Sequence, residues 1–423
     1  MSNLVPEGWQ CVKLKNVCHT IYRYPTFYGM ETFESGVPVI RGEHIGSSGN
    51  LSLKWGDYYF VSQEFSSKFP KTQLCEGDVV MAVRGTVGKF AKVSKQHLSA
   101  QISPNLIRLA PDSEVAEKGF FFHSLFPVKE SLLKDCVSAT GVPALNGKDI
   151  ADANLLLPPL PEQKKIAAIL TSVDEVIEKT QAQIDKLKDL KVGMMQELLT
   201  RGVGVDGKPH TEFKDSPVGR IPKGWEVVSV GSLVDVIDPQ PDHRTPPEVE
   251  NGIPYVGLGD IDKSGVINFS GARKVSQAAF EKQCKSFDLH KGAFVFGKIG
   301  TIGNPSILPE QRFYCLSANV VLITGVNYEV LRYIFQVFTS GIINEQIAQQ
   351  TNTTSQPALG IKKVRDFLVP LPTHSEMKSL VNALSSIDKR LTVVKTKLDK
   401  LKSSKKALMQ DLLTGKVRVK VDI

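Results

Sequence analysis

The 423-residue chain is short of the features that announce catalysis or a membrane. Its six cysteines, at 11, 18, 75, 136, 284 and 315, never form a Cys-x-x-Cys pair, which argues against a zinc ribbon or finger. Scattered thiols in a chain of this length suit a reducing compartment. There is no His-Glu-x-x-His, so a common zinc-hydrolase signature is missing as well. No apolar run approaches the ~20 residues a spanning helix requires, and the opening Met1-Ser2-Asn3-Leu4-Val5-Pro6-Glu7-Gly8-Trp9 does not read as a signal peptide. A metal-free, cytoplasmic protein with no membrane association is the expectation. Charge of one sign is in modest excess: 52 Lys and Arg against 44 Asp and Glu leave +8, which is compatible with nucleic acid without dictating it. The 41% hydrophobic and 23% charged content excludes a wholly disordered chain, and the length allows two to four domains at roughly 100–200 residues each.

Partial motifs fail on inspection. Gly292-Ala293-Phe294-Val295-Phe296-Gly297-Lys298-Ile299 matches the start of a P-loop, yet Ile299 stands where a Ser or Thr hydroxyl must hold magnesium, and Ala-Phe-Val-Phe reads as a strand. Gly257-Leu258-Gly259 lacks the third glycine of a dinucleotide fingerprint. Neither Asn-Pro-Pro-Tyr nor Asp-Pro-Pro-Tyr, the tetrapeptides by which adenine methyltransferases hold the target amine, occurs; Asn304-Pro305-Ser306 fails at the second proline. Scattered Asp, Glu and His residues form no acid–base or nucleophile signature. No catalytic residue, cofactor site or metal site is expected in this chain.

What is present is a repeat. Pro6-Glu7-Gly8-Trp9 recurs as Pro222-Lys223-Gly224-Trp225, and Gly36-Val37-Pro38 as Gly252-Ile253-Pro254. Gly85-Thr86-Val87-Gly88 recurs as Gly300-Thr301-Ile302-Gly303, and Pro143-Ala144-Leu145 as Pro357-Ala358-Leu359. Glu162 to Asp174 aligns without a gap on Glu376 to Asp388, and Met195 to Thr200 on Met409 to Thr414. One register held over half a chain marks a tandem duplication of a unit of about 210 residues. Val79–Val83, Asn105–Leu109, Ala293–Phe296 and Asn319–Ile323 read as buried strands, and Phe120–Phe126 and Tyr328–Ser340 as helices. Prolines at 158, 159 and 161, and again at 370 and 372, predict a helix starting just after each group. The expected segments are a globular domain over 1–157, a helix over 158–200, a Gly- and Pro-rich linker over 201–221, a second domain over 222–369, and a helix with tail over 370–423.

Both helices carry a heptad seam. In the first it runs Ile166, Leu170, Val173, Ile177, Thr180, Ile184, Leu187, Lys191, Met194, Leu198. Shifted by 214 it becomes Leu380, Leu384, Ile387, Leu391, Val394, Leu398, Leu401, Lys405, Leu408, Leu412. A helix from Glu162 to Thr200 spans ~58 Å at about 1.5 Å per residue and calls for a partner along its length. Each helix could pack against its own domain, but the expected partner is the other helix, in an antiparallel coiled coil, with Lys191 and Lys405 fixing register or snorkelling outward.

The loops differ where the scaffold matches: 19–35 faces 235–251, and 96–102 faces 311–316. In or beside them lie Arg23, Tyr24, Arg41, Arg84, Thr86, Lys89, Gln101 and Asn105, then Arg244, Thr245, Lys298, Thr301, Asn304, Arg312 and Asn319. Arg, Asn and Gln read base edges, while Lys and Thr more often hold phosphates. These are the candidate DNA-binding residues.

Taken in order, the chain resembles the specificity subunits of type I restriction-modification systems. The resemblance covers essentially the whole length. It rests on Leu157-Pro158-Pro159-Leu160-Pro161-Glu162-Gln163 leading into Ile166-Ala167-Ala168-Ile169-Leu170, the Pro-x-Gly-Trp openings, the Gly77-Asp78-Val79-Val80 strand with its Gly-Thr-Val-Gly turn, and the linker Thr211 to Gly219. The second half departs from the pattern with Val369-Pro370-Leu371-Pro372-Thr373-His374-Ser375-Glu376. The resemblance implies an α+β chain: two α/β target recognition domains, each followed by a long helix, each reading one half of a split asymmetric site on double-stranded DNA. It implies docking of two copies of a methyltransferase subunit that carries S-adenosylmethionine, and a motor and nuclease subunit using ATP and Mg2+. Two other readings are a divergent self-contained DNA methyltransferase, which S-adenosylmethionine binding by the purified chain would reveal, and a stand-alone DNA-binding protein, which capture of a methyltransferase would exclude.

Overall fold

The structure is a computed structural model and describes residues 5–24, 31–46, 48–134, 144–204, 207–242, 244–262, 265–300, 302–351 and 358–421. It divides into two compact units, Met1–Gln181 with Lys397–Ile423, and Ala182–Thr396. In the first, the chain runs through β1 (Gln10–Lys13), β2 (Cys18–Tyr22), β3 (Val37–Ile40), β4 (Phe60–Val61), α1 (Gln63–Lys68), β5 (Val79–Ala82), β6 (Phe90–Lys92), β7 (Gln101–Ile102) and β8 (Leu106–Pro111). Then come α2 (Lys118–Lys134), α3 (Gly147–Asp152), β9 (Asn154–Leu157) and the 42-residue α4 (Leu160–Arg201), of which the residues up to Gln181 belong to this unit. The central sheet is antiparallel, in the order β2-β8-β5-β6. A smaller sheet pairs β3 parallel to β7 and antiparallel to β4, and β1 pairs with β9.

Burial on both faces explains why β5 reads as a continuous apolar run. Alternate strand side chains point to opposite faces. Val79 and Met81 therefore join Ile107, Leu109, Phe121 and Leu125 on the α2 side, while Val80 and Ala82 join Ile40, Ile102 and Leu106 on the other. A side chain of this size contributes about 1.5–3 kcal/mol when fully buried, so both faces anchor the strand.

The second unit repeats the plan. A hairpin of β10 (Phe213–Lys214) and β11 (Ile221–Pro222) lies within the predicted linker, followed by β12 (Glu226–Ser229), β13 (Asp235–Ile237), β14 (Glu248–Val256), β15 (Lys274–Val275) and α5 (Gln277–Ser286). β16 (Phe294–Gly297), β17 (Gly303–Ile307), β18 (Cys315–Leu316), β19 (Val320–Thr324), α6 (Tyr328–Phe338), α7 (Gly341–Thr351), α8 (Ile361–Arg365), β20 (Leu368–Leu371) and the 40-residue α9 (His374–Leu413) complete it. Its central sheet has the order β13-β19-β16-β17, β14 pairs parallel to β18, and β12 pairs with β20, each matching its counterpart in the first unit. Phe294, Phe296, Val321 and Ile323 face one core, and Val295, Val320 and Leu322 the other.

α9 starts just after its prolines, at His374, whereas α4 starts at Leu160, one residue before the last proline of its group. The carbonyl of Pro159 accepts the N–H groups of Glu162 and Gln163, and Pro161 sits in the first turn, where its missing donor costs nothing. α4 and α9 pack together, antiparallel, in each unit. In the first, Ile166 and Leu170 early in α4 share a cluster with Leu412 and Leu413 late in α9, whereas Asp174, further along α4, meets the earlier Lys405. In the second, Met195 and Leu199 late in α4 share a core with Leu380 and Leu384 early in α9, and Lys191 meets Asp388. Of the predicted seam, Ile166, Leu170, Ile184, Leu187, Leu380, Leu384, Ile387, Leu391, Val394 and Leu398 are buried, while Val173, Ile177 and Leu401 are half-buried. The two seam lysines do not turn out to solvent; each ends on an aspartate of the opposite helix. No helix among the described residues is long and apolar enough to cross a membrane.

A buried glutamate joins each domain to its helix. Trp9 Nε1 donates to Glu162 Oε2 at 3.0 Å, and Trp225 Nε1 to Glu376 Oε2 at 2.8 Å. Each carboxylate lies in the first turn of its helix, where the dipole favours an anion. Burial alone would raise the Glu376 pKa, but hydrogen bonds from Trp225, His210 and the backbone of Gly204 and Val203 outweigh it and lower the value. Glu162 is held by Arg418, at 2.8 and 2.9 Å. The chain leaving each helix passes against the tryptophan through a glycine: a Cβ at Gly202 would strike Glu376 and Trp225, and one at Gly415, beside Trp9, would strike Pro6. Sequence reasoning missed both joints, although each tryptophan and each glutamate is part of the repeat.

Candidate nucleic-acid interface

In the first unit, the turn after β5 carries three of the predicted residues. Arg84, Thr86 and Lys89 are exposed, and Gly85 and Gly88 hold the left-handed φ values (74° and 77°) that let the chain reverse in so few residues. Arg23 reaches the carbonyl of Pro104 at 3.1 Å, which sets it beside the exposed Asn105. Burial and then the nearby Arg84 lower the Arg23 pKa, so the two guanidinium groups share one patch. Gly42 backs onto Thr86, bringing the Arg41 segment to the same rim. Among the described residues no carboxylate pairs with Arg23, Arg84 or Lys89. Clustered cations without acids destabilise the free protein and favour an anionic ligand.

Arg41 itself is more constrained. Its Nη2 donates to the Asp57 carbonyl at 2.9 Å, it pairs with Glu43, and its guanidinium lies 4.7 Å from the centre of the Tyr59 ring. Two residues expected at this surface are inside. Gln101 is fully buried, accepting from Tyr24 Oη at 2.8 Å and donating to the Ser66 carbonyl at 3.2 Å, with Thr72 also on its carbonyl. Tyr24 is 2% exposed. Both brace the loop after β2 against the smaller sheet, because a buried amide must have its hydrogen bonds met internally.

Among the described residues, the second unit presents fewer free cations at the matching place. Arg244 and Thr245 are exposed, the Arg244 carbonyl held by Gln240 Nε2 at 2.9 Å. Lys298, expected to face DNA, is 3% exposed and ion-paired with Asp238 at 2.5 Å. Arg312 donates to the Phe287 carbonyl at 3.2 Å and to Gln283 Oε1 at 3.3 Å, its guanidinium 4.3 Å from the Phe287 ring centre. Asn304 has φ +55° and donates to the Asp262 carbonyl, while Asn319 bonds Ser317. Thr301 lies outside the described residues. Beside Arg312, the exposed Phe313 ring packs on Phe269 at 4.7 Å between centroids, an aromatic surface that polar residue types in the sequence do not signal. No group of three or more His, Cys, Asp or Glu among the described residues could hold a metal ion.

Comparison with known proteins bears on these surfaces. The chain is 27% identical to the Type I restriction enzyme MjaVIII specificity subunit of Methanocaldococcus jannaschii, covering 98% of this chain and 94% of that one. It is 22% identical to the Type I restriction enzyme EcoBI specificity subunit of Escherichia coli, over 84% of this chain and 73% of that one. Among solved structures, its fold resembles the type I restriction-modification system S subunit from M. genitalium (TM-score 0.58, 13% identity, 96% of each chain). It also resembles a chain from a study of complex assembly and conformational transition of the type I R-M system (TM-score 0.53, 18% identity, 98% of this chain and 100% of that one). The family model for the type I restriction modification DNA specificity domain matches residues 6–189 and again 222–403, so the chain belongs to that family and carries its domain twice.

Proposed function

We propose that this chain is the non-catalytic DNA sequence-specificity subunit of a type I restriction-modification complex, with each domain reading one half of a split, asymmetric site. The observation that carries this reading is one sheet topology in both units with different side chains at its rim: Arg23, Arg84, Thr86 and Lys89 in one, Arg244 and Thr245 in the other. Unlike loops on a common scaffold suit two unlike half-sites. α4 and α9 act as the ruler that sets the spacer, because a paired helix has a fixed rise of about 1.5 Å per residue. They also dock two methyltransferase subunits, which bring S-adenosylmethionine; exposed Leu190, Val192 and Val393 on the helices offer apolar contacts for that purpose. A motor and nuclease subunit using ATP and Mg2+ completes the complex, which works on double-stranded DNA in the cytoplasm.

Base-resolved mapping of methylated adenines in cells expressing the system tests the proposal. The expected result is a motif of two different short half-sites separated by a fixed unread gap. A contiguous motif, or methylation that does not depend on this chain, contradicts it.

A further inference from the structure

α4 and α9 carry the same seam in the same phase, so leucines and isoleucines alone do not decide how they pair. The charges do. In the first unit Lys405 Nζ lies 2.5 Å from Asp174 Oδ1, and in the second Lys191 Nζ lies 2.6 Å from Asp388 Oδ1. Lys405 is the repeat counterpart of Lys191 and Asp388 that of Asp174, so each pair is the image of the other.

The second oxygen of each aspartate faces the domain. His123 Nε2 on α2 stands 3.8 Å from Asp174 Oδ2, and Gln336 Nε2 on α6 donates to Asp388 Oδ2 at 3.3 Å. Both side chains are 2% exposed. Burial, with Lys405 and Lys92 nearby, pushes His123 down to about 3, so it meets Asp174 as a neutral ring.

We propose that Lys405–Asp174 and Lys191–Asp388 are matched latches that select one direction and one register for the helix pair, thereby fixing the spacer between half-sites, with Gln336 tying the second domain to its latch. This rests on the ruler reading given above. In a parallel, in-register pair, equivalent positions would meet: Asp174 would face Asp388, and Lys191 would face Lys405. Only the antiparallel arrangement gives every charge its opposite. A slip by one heptad keeps the apolar seam in phase but carries each lysine about 10 Å from its aspartate. The groups are too covered to be left alone, with side-chain exposures of 13% and 26% for Lys405 and Asp174, and 20% and 36% for Lys191 and Asp388. A covered ion pair contributes little net stability, but an unmatched one is costly, which is the property of a selector.

The test uses the full chain assembled with its methyltransferase subunits, offered a library of both half-sites with variable gaps. Lys191→Glu places two acids together and is expected to cut the preference for the best spacer over its neighbours by about tenfold, since like-charge juxtaposition costs more than a factor of ten in equilibrium. The base preference within each half-site stays unchanged. Adding Asp388→Lys is expected to restore the wild-type profile to within about twofold, because the pair is re-formed with its signs exchanged.

Should Lys191→Glu fail to fold, the combined variant Lys191→Met, Asp388→Leu, Lys405→Met, Asp174→Leu keeps the seam filled. It is expected to show added spacer optima about three base pairs from the original, the length of one heptad slip. A single, unchanged optimum in that folded variant, or a double reversal that restores nothing, overturns the latch alone. A wild-type complex without any spacer preference overturns the ruler reading and the latch with it.

Discussion

At the start of α4 in the first unit, Gln163 accepts the Glu117 N–H and donates to the Val115 and Pro158 carbonyls. At the start of α9 in the second, Met377 stands in its place and joins an apolar cluster that runs from Phe294 and Phe338 into Met195, Leu380 and Leu384. In the first unit the corresponding helix cluster, with Trp9, Phe120, Ile166 and Leu412, is separate from the one under the sheet. The glutamate beside the variable residue does not change, yet what closes over it does: Arg418 in one unit, His210 and the N–H groups of Val203 and Gly204 in the other. The joint between domain and helix is the element the two units share. One unit secures it with a polar bracket and an arginine, the other with continuous packing and linker amides.

Removal of the glutamates should cost the protein most. Glu376→Ala orphans the Trp225 indole, His210 and two backbone donors, and should cost about 3–5 kcal/mol. Glu162→Ala should cost less, about 2–3 kcal/mol, since the half-exposed Arg418 can return to water. Denaturant unfolding of both variants measures the difference, and equal losses would remove the asymmetry. The lowered pKa of Glu376 also sets a pH signature. Its contribution is present in full above the ordinary glutamate value of 4.5 and is lost as pH falls through the lower folded value. Wild-type protein should therefore lose stability in acid more steeply than Glu376→Gln.

The rims supply a second contrast. Lys298→Ala leaves Asp238 without its partner and should destabilise by about 3 kcal/mol. Arg84→Ala should change stability by less than about 0.5 kcal/mol, yet relax base preference at one half-site by about 1–3 kcal/mol. Unfolding and selection on variant half-sites separate the two effects. A smaller effect tests the bracket itself. Met377→Gln should cost about 2 kcal/mol for an amide buried in an apolar cluster, whereas Gln163→Met should cost about 1 kcal/mol, since Met is adaptable and fills gaps. If Met377→Gln is the milder change in calorimetry, the contrast between polar bracket and packing is misdrawn.

The pattern of success in reading the sequence follows the range of the interactions. β5, β8, β16, β19 and the heptad seam were legible because their signals are periodic and local, and the duplication confirmed each by a second copy. The rim was legible only in part. A polar residue beside a strand end looks the same whether it faces solvent or a distant partner. Lys298 is neutralised by Asp238 and Gln101 is held by Ser66 and Thr72, all far away in sequence. The latches were half visible: the recurring seam lysines stood out, but their aspartates are separated from them by 197 positions in one pair and lie off the seam.

The ruler is tested most directly by lengthening it without touching either latch. One heptad inserted after Gln181 in α4 and one after Thr396 in α9 fall between Asp174 and Lys191 and between Asp388 and Lys405, so both ion pairs and both domain joints are kept. The helix pair grows by about 10 Å, the length of about three base pairs. Spacer selection with the assembled complex should then show the preferred gap longer by about three base pairs, with both half-sites read as before. An unchanged gap at full affinity would show that the helix pair does not set the spacer.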